Sequence, residues 1–315
     1  MNAEVMAEWL RRQGRRVQQV AGSYWVELAP RIFQAFPYHR TLALAPRELQ
    51  TLLRELGAIG VRFSVSTEAS EGAISYHVVC ANKTYAMEQL SGKARYDVRK
   101  GLGAFRVEPI APAHLAAEGW AVRAETLERQ GRIRAESRRW WEQLCLSTEG
   151  LPGVECWGAR DTGSGLLCGS LIALTCDEIF CILYQQSRTA CMRLGVNNAL
   201  SYVVTQAALS RPQIAEVFYG LHSLDAPGSV DEYKFRMGYS ARPVRQRVAF
   251  HPWVAPVFNA TSHRMLLRLH ERFPERPALA KAEGLVRLWL EGRKPLAEQP
   301  WPDALALQRS SLLAV

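Results

Sequence analysis

No stretch of this 315-residue chain approaches the roughly 18 consecutive apolar residues that a membrane-spanning helix requires. The N-terminus, MNAEVMAEWLRRQGRR, carries acids among its first residues and lacks the uninterrupted apolar core of a secretory signal, so a cytoplasmic location is expected. No CxxC pair occurs among the 7 cysteines (Cys80, Cys145, Cys156, Cys168, Cys176, Cys181, Cys191). Several of them sit inside apolar runs, where a reduced cysteine packs as a small hydrophobe, so neither a disulfide framework nor a metal site is expected. There is no tandem repeat.

What is present is enough apolar material, 48% of residues, to bury a substantial core in one large domain or two moderate ones. The formal charge of +9 favours anionic partners: phosphate-bearing cofactors, nucleic acid or a membrane surface. Charge alone does not choose among them.

Periodicity and punctuation give a coarse element order. Residues 22 to 28 (GSYWVEL) and 60 to 66 (GVRFSVS) read as strands around a helix from Pro46 to Leu56, which proline opens and Gly57 ends. Lys93 to Lys100 reads as a short basic helix that Gly101 and Gly103 break, and Phe105 to Ile110 as a strand. Helices are expected over 113 to 129 and 136 to 147, then strands at Val154 to Ala159, Leu166 to Thr175 and Ile179 to Gln185. The last is apolar on both alternating faces and should be central. Val196, Ala199, Leu200, Val203, Val204, Ala207 and Ala208 recur at helical spacing, with Pro212 as a stop. A strand at Ile214 to Tyr219, a short helix at Val230 to Met237 and a strand at Ala241 to Phe250 follow. Ser229 and Glu232 form a capping box for the short helix, and Gly238 marks its end. The remainder holds amphipathic helices at 262 to 273 and 280 to 291.

The order from about 104 to 250 (strand, two helices, three strands, long helix, strand, short helix, strand) resembles the GNAT acyltransferase fold. FYGLHS at 218 to 223 and DEYKFRMGY at 231 to 239 are similar to the strand, loop and "FKxxFG" helix of the FemAB-like branch. Ordinary GNAT acetyltransferases usually have a tyrosine four residues before that glycine; Lys234 stands there here. KARYDVRKGLGAFRVEPI resembles the arginine-rich helix, glycine and strand that precede the second lobe in the same branch. The resemblance implies an α/β (α+β, mixed-sheet) fold of two GNAT-like lobes. The first, residues 1–100, is reduced; residues 101–252 form the catalytic lobe, and 253–315 a helical extension.

It also implies a donor site. GNAT enzymes hold the pyrophosphate of acyl-CoA or acetyl-CoA on backbone N–H groups at the start of the long helix, where unpaired donors and partial positive charge coincide. The place is MRLGVNNAL, residues 192 to 200. The usual pattern is Arg or Gln, two residues, Gly, one residue, then Gly or Ala. Gly195 fits, while Met192 and Asn197 depart. Arg188 and Arg193 bring charge beside a phosphate, Val196 opens the helix, and Asn197 and Asn198 either cap it or bond to a ligand. An ordinary strand-to-helix turn is the plainer alternative. FemAB proteins proper take the acyl group from aminoacyl-tRNA and do not need this loop, so both donors stay open.

Acyl transfer needs a base for the acceptor proton, donors for the oxyanion and an acid for the leaving group. His222, after the turn at Gly220, is either the base or a loop histidine bonded to backbone, and Asp225 its orienting partner or a surface loop aspartate. Lys234, matching a family lysine, either contacts an anionic donor or acceptor or stabilises developing charge, or else stands on a solvated helix face. Tyr184 either donates to the thioester carbonyl or packs in the core. Arg95 and Arg99, four apart with Lys100 beside them, form a clamp for a carboxylate or phosphate, or a solvated basic face. Trp140 and Trp141, after Arg138 and Arg139, belong to the core rather than to base stacking.

The expected function is thus transfer of an acyl group from acyl-CoA, without a metal, to an amine or hydroxyl of a small molecule, sugar or cell-envelope precursor. The alternatives are aminoacyl-tRNA-dependent extension of a peptidoglycan precursor and a non-catalytic binding protein. SHRMLLRLHERF at 262 to 273 serves either to pack against the lobe or to touch a membrane surface.

Overall fold

The computed structural model describes residues 3–132, 136–222, 229–273 and 276–314. Chain order begins with α1 (Ala3–Arg12), β1 (Val17–Val20), β2 (Ser23–Ala29), β3 (Ile32–Phe36), α2 (Pro46–Leu56), β4 (Gly60–Val65) and β5 (Ala73–Cys80). It continues with α3 (Gly92–Ala104), β6 (Phe105–Pro109), α4 (Pro112–Glu118), α5 (Trp120–Arg129), α6 (Arg138–Leu146), β7 (Val154–Asp161), β8 (Leu167–Cys176) and β9 (Ile179–Ser187). The rest is α7 (Thr189–Met192), α8 (Val196–Leu209), β10 (Glu216–Leu221), α9 (Ser229–Arg236), β11 (Ser240–Phe250), α10 (Ala260–Arg272), α11 (Pro277–Glu291) and α12 (Arg309–Leu313). The fold is mixed α/β, and among the described residues no helix is long and apolar enough to cross a membrane.

Two compact units share the chain: unit 1 is Met1–Gln13, Val78–Gly220 and Ser229–Ser240, and unit 2 is Gly14–His77, Leu221–Gly228 and Ala241–Val315. This interleaving differs from three consecutive segments with boundaries near 100 and 252. The N-terminal helix joins unit 1 because Trp9 is fully buried in a cluster with Leu115, Trp141 and Ile172. The C-terminal helices join unit 2 because Val286 and Leu288 pack with Ala73, Val248 and Phe250.

In unit 1 the strand order is β10, β9, β8, β7, β6. β6 to β9 are antiparallel neighbours, and β10 lies parallel to β9. The strand expected to be central, β9, is only partly buried from Leu183 to Gln185; β8, in the middle of this order, is the one buried along its whole length. Gly119 splits the expected long helix into α4 and α5; a Cβ there would lie 2.5 Å from Leu115 O and 2.8 Å from the Trp141 ring. Trp141 is completely buried and donates its indole N–H to Leu115 O (3.3 Å), the core role expected of the tryptophan pair.

α3 runs through Gly101 and Gly103 instead of ending before them. Gly101 is a packing residue: a Cβ there would stand 2.4 Å from Gly195 O, where α3 meets the start of α8. All 7 cysteines are free thiols.

In unit 2 the order is β1, β2, β3, β4, β11, followed by the first part of β5. α2 forms as its sequence dictates, with Pro46 at its start, Glu48 accepting from the Ala45 N–H (2.7 Å) and Gly57 left-handed at φ 61°. It lays Leu49, Leu52, Leu53 and Leu56 on Phe33, Val61, Phe63 and Val65 of β3 and β4. α10 keeps Leu266 against the Phe258, Leu285 and Trp289 cluster and leaves Met265 59% exposed.

Candidate acyl-transfer cleft

The site of unit 1 follows from a strand defect. Along β8, Ile172 pairs with Tyr184 while Ala173 pairs with Ile182, so Leu183 is an extra residue and β9 bends there. β10 pairs with β9 over Glu216 to Phe218 opposite Ile179 to Cys181, yet β9 continues to Ser187 and β10 to Leu221. Beyond the last pair lies a cavity of about 380 Å³, lined by Thr126, Arg129, Gln130, Gln185, Ser187, Met192, Asn197, Tyr219, Tyr233 and Lys234. That volume falls in the range of small-molecule sites, roughly 300 to 1,000 Å³.

Its floor is a hydrogen-bonded polar cluster. Gln185 Oε1 accepts from Ser201 Oγ (3.1 Å) and from the Tyr219 hydroxyl, while Gln185 Nε2 donates to the carbonyl and side-chain oxygens of Asn197 (3.4 Å each). The Tyr233 hydroxyl donates to Asn197 O (2.9 Å) and lies 2.9 Å from Ser201 Oγ. Burial raises the Tyr219 pKa well above the ordinary tyrosine value, with nearby Tyr233 adding and the Ser201 hydrogen bond opposing. Burial likewise pushes Tyr233 up to about 12 against hydrogen bonds from Ser201 and Gln185. Both phenols are therefore protonated near neutrality and act as donors rather than bases.

Two cations border the cavity. Lys234 Nζ lies 2.8 Å from Asp231 Oδ1 and 5.1 Å from the centroid of the Tyr219 ring, the two charged side chains being only 12% and 9% exposed. Arg129 donates to Thr189 Oγ1 (3.0 Å) and Ser187 O (3.3 Å), and burial lowers its pKa while Glu125 raises it. The first N–H groups of α8, at Val196, Asn197 and Asn198, have no acceptor within the helix, as at every helix start.

The other expected site residues scatter. Arg188 is tied into the scaffold, donating to Leu167 O (3.0 Å) and pairing with Glu125 (3.0 Å). Arg193 is exposed at the end of α7. Gly195 is left-handed at φ 82°, and a Cβ on it would stand 2.3 Å from Asp97 O, so glycine is required there by the approach of α3. Val196 is fully buried, Asn197 lines the cavity, and Asn198 Nδ2 lies 3.4 Å from the Met237 sulfur. Arg95 is half-buried and Arg99 exposed on α3, and neither lines the cavity.

Tyr184 lies outside the cavity lining. It packs edge-on against Trp9 at 6.0 Å because, next to Gln185 on a strand, it faces the opposite side of the sheet. His222 belongs to unit 2, not to the unit that holds Lys234. Its N–H donates to Tyr76 O (2.9 Å), its ring stacks on Tyr76 at 4.4 Å and 19°, and Nδ1 lies 3.5 Å from Ser75 Oγ. Asp225, with 223–228, lies outside the described residues, as does the Ser229 side chain of the expected capping box.

Sequence reasoning passed over Gln185, Tyr219, Tyr233, Ser201 and Arg129. Tyr219 and Tyr233 stand inside the two segments that carry the family resemblance, Tyr233 directly before Lys234. Gln185 had no signal, because its direction depends on the bulge.

No family model matches the sequence, and no curated protein matches it. Solved structures do. FemX superposes with a TM-score of 0.55 at 10% identity, covering 80% of this chain and 93% of that one. The C-terminal domain (DUF2156) of a putative lysylphosphatidylglycerol synthetase from Agrobacterium fabrum gives 0.53 at 11%, covering 78% and 87%. L-PGS from Bacillus licheniformis gives 0.52 at 11%, covering 81% and 94%. Identities this low speak to the fold alone, and the fold is the one these three structures share with this chain.

Proposed function

We propose that unit 1 transfers an acyl group from an activated donor to an amine or hydroxyl, with the donor carbonyl seated where β10 parts from β9. The observation that carries this reading is the cleft itself. Strand separation opens backbone groups to a ligand, and Gln185, Tyr219, Tyr233 and Lys234 surround the opening.

Acyl-CoA is the leading donor, and it would supply a thioester carbonyl. Arg129 and the first turn of α8 offer cationic and N–H donors of the kind a pyrophosphate requires. The Lys234 ammonium stabilises negative charge developing on the carbonyl oxygen, an effect worth roughly 10²–10³ in rate per donor. Asp231 holds Lys234 in place. A protonated phenol, Tyr219 or Tyr233, breaks its hydrogen bond to Gln185 or Asn197, gives its proton to the leaving group and takes a proton back from solvent. Among the described residues lining the cleft none is a carboxylate or imidazole, so the acceptor proton leaves through solvent.

A second donor class has its own support. The backbone of α3 covers one flank of Gly195, and Met192 and Asn197 replace the residues expected of a pyrophosphate loop. Aminoacyl-tRNA does not need that loop. The acceptor is taken to be a small molecule, sugar or cell-envelope precursor, as the resemblance suggests.

The test is thermal denaturation with acetyl-CoA, longer acyl-CoAs, free CoA and aminoacyl-tRNA, since a ligand that binds only the folded state raises the midpoint. A shift with CoA species supports the first donor, and a shift with aminoacyl-tRNA alone the second. No shift with any of them removes the transferase reading.

A further inference from the structure

The segment that follows β11 packs onto unit 2 by one side only. Hydrogen bonds from the Val254 and Ala255 N–H groups to His251 O (2.9 and 3.0 Å), from Val257 to Val254 O (3.0 Å) and from Phe258 to Ala255 O (3.1 Å) wind residues 251 to 258 into helical turns. Positions four apart on such turns share a face. Val254 and Phe258 pack with Phe250, Leu266 and Trp289. Trp253 and Val257 fall on another face and are left 89% and 61% exposed.

α10 repeats the arrangement. Leu266 joins the same cluster and His263 Nε2 lies 2.8 Å from Glu283 Oε1 of α11, so this side of the helix is turned inward. Arg264, Arg268 and Arg272, each four residues from the next, stand on the outward side with Met265 beside them, and all four are exposed. Among the described residues none of the three arginines is ion-paired: Arg264 Nε donates to Ala260 O (3.3 Å), and Arg272 lies 6.0 Å from the centroid of the Phe273 ring. Against their three positive charges α10 carries a single acid, Glu271.

The outer side of one cluster thus presents apolar side chains to solvent beside cationic groups that no carboxylate neutralises. A nucleic acid would meet the arginines but leave Val257 and Met265 without a partner. The surface of an anionic bilayer receives both, indole and aliphatic groups at the boundary of the acyl chains and guanidinium groups at the phosphates. We propose that this surface of unit 2 docks on an anionic lipid bilayer, with Trp253, Val257 and Met265 entering the headgroup region and Arg264, Arg268 and Arg272 pairing with lipid phosphates. The contact is independent of the transfer cleft and of its donor.

Co-sedimentation of the full chain with phosphatidylglycerol vesicles and with phosphatidylcholine vesicles tests it. Binding to phosphatidylglycerol is expected, with phosphatidylcholine at least about tenfold weaker and the preference lost in about 1 M salt, where charge acts over only about 3 Å. Arg264→Gln, Arg268→Gln and Arg272→Gln combined should weaken binding to phosphatidylglycerol about a hundredfold, each basic group contributing roughly fivefold. Trp253→Ser should weaken it at least about tenfold through the lost indole. Both variants change exposed side chains, and a melting transition like that of the parent shows that neither loss is one of folding. Arg47→Gln with Arg54→Gln, an exposed basic pair on α2 of the same unit, should leave binding unchanged. Lack of preference for the anionic lipid, or parental binding in either the triple arginine variant or Trp253→Ser, overturns the proposal. So does self-association without lipid that Trp253→Ser abolishes, which would make the surface a contact between two copies. A single-stranded oligonucleotide held by the same arginines more tightly than the vesicles overturns it as well.

Discussion

β8 of unit 1 is buried from Leu167 to Cys176 and nearly all apolar, whereas strands of equal burial in unit 2 carry Arg62, Ser64, Ser75 and His77. Unit 1 makes room for a ligand with its backbone, through the bulge at Leu183 and the parting of β9 from β10. Unit 2 places polar side chains on one face of β3, β4 and β11, where the register is regular, while its β2 carries a bulge of its own at Leu28 against β3. A backbone-made cleft tolerates change at its lining but not in the packing that sets strand and helix positions. A polar face made of side chains should behave the other way round.

The largest expected effect breaks the backbone packing of unit 1. Gly101→Val forces side-chain atoms onto Gly195 O, 2.4 Å from the added Cβ, and should cost about 4 kcal/mol or more because neither backbone has slack. Urea denaturation measures it, and a loss below about 1 kcal/mol would show that α3 and α8 can separate cheaply.

Next comes the apolar face of unit 2. Phe63→Ala removes a ring 2% exposed between α2 and the sheet, with an expected loss of about 3–5 kcal/mol in the same measurement.

Lys234→Met should lower turnover roughly 100-fold while the melting transition stays cooperative, because it removes charge at the cleft without opening the core. Steady-state kinetics with the donor found by thermal shift would decide. An effect confined to KM would move Lys234 from stabilising the transition state to binding the ground state.

The smallest effect sharpens the polar face. Burial, with Arg242 and His39 adding, lowers the His77 pKa from 6.5 to about 3. The folded protein keeps this imidazole neutral while the unfolded chain takes up a proton, so stability is full above about pH 6.5 and declines as pH falls toward 3. The slope is at most about 1.4 kcal/mol per pH unit. His77→Gln should flatten the difference in denaturation midpoint between pH 7 and pH 5. An unchanged difference would assign the acid sensitivity to other groups.

Much of the fold was legible. Pro46 and Gly57 bracket α2, and the apolar recurrence from Val196 marks α8, whereas the central place expected of β9 falls to its neighbour β8. α1 carried a pattern that was not used, Ala3, Met6, Ala7 and Leu10 all being buried on one side. Gly101 misled because local propensity reads a glycine as a stop, whereas here the missing Cβ lets two backbones meet. Of the residues that line the cavity, Lys234 and Asn197 were named from the sequence. Tyr184 and Gln185 are adjacent on a strand, and only the position of the bulge decides which of them faces the cleft.

The sequence by itself determined the α/β class, the positions of the long helices and buried strands, and the segments that carry the FemAB-like pattern, because these depend on periodicity and turn chemistry within a few residues. Tertiary structure alone decided that α1 and α11 belong to different compact units, that His222 and Lys234 are assigned to different units, and that Gln34, Arg62, Ser64 and Gln246 share one buried face. Those outcomes depend on register and packing between residues far apart in the chain, and no local pattern encodes a contact across that distance.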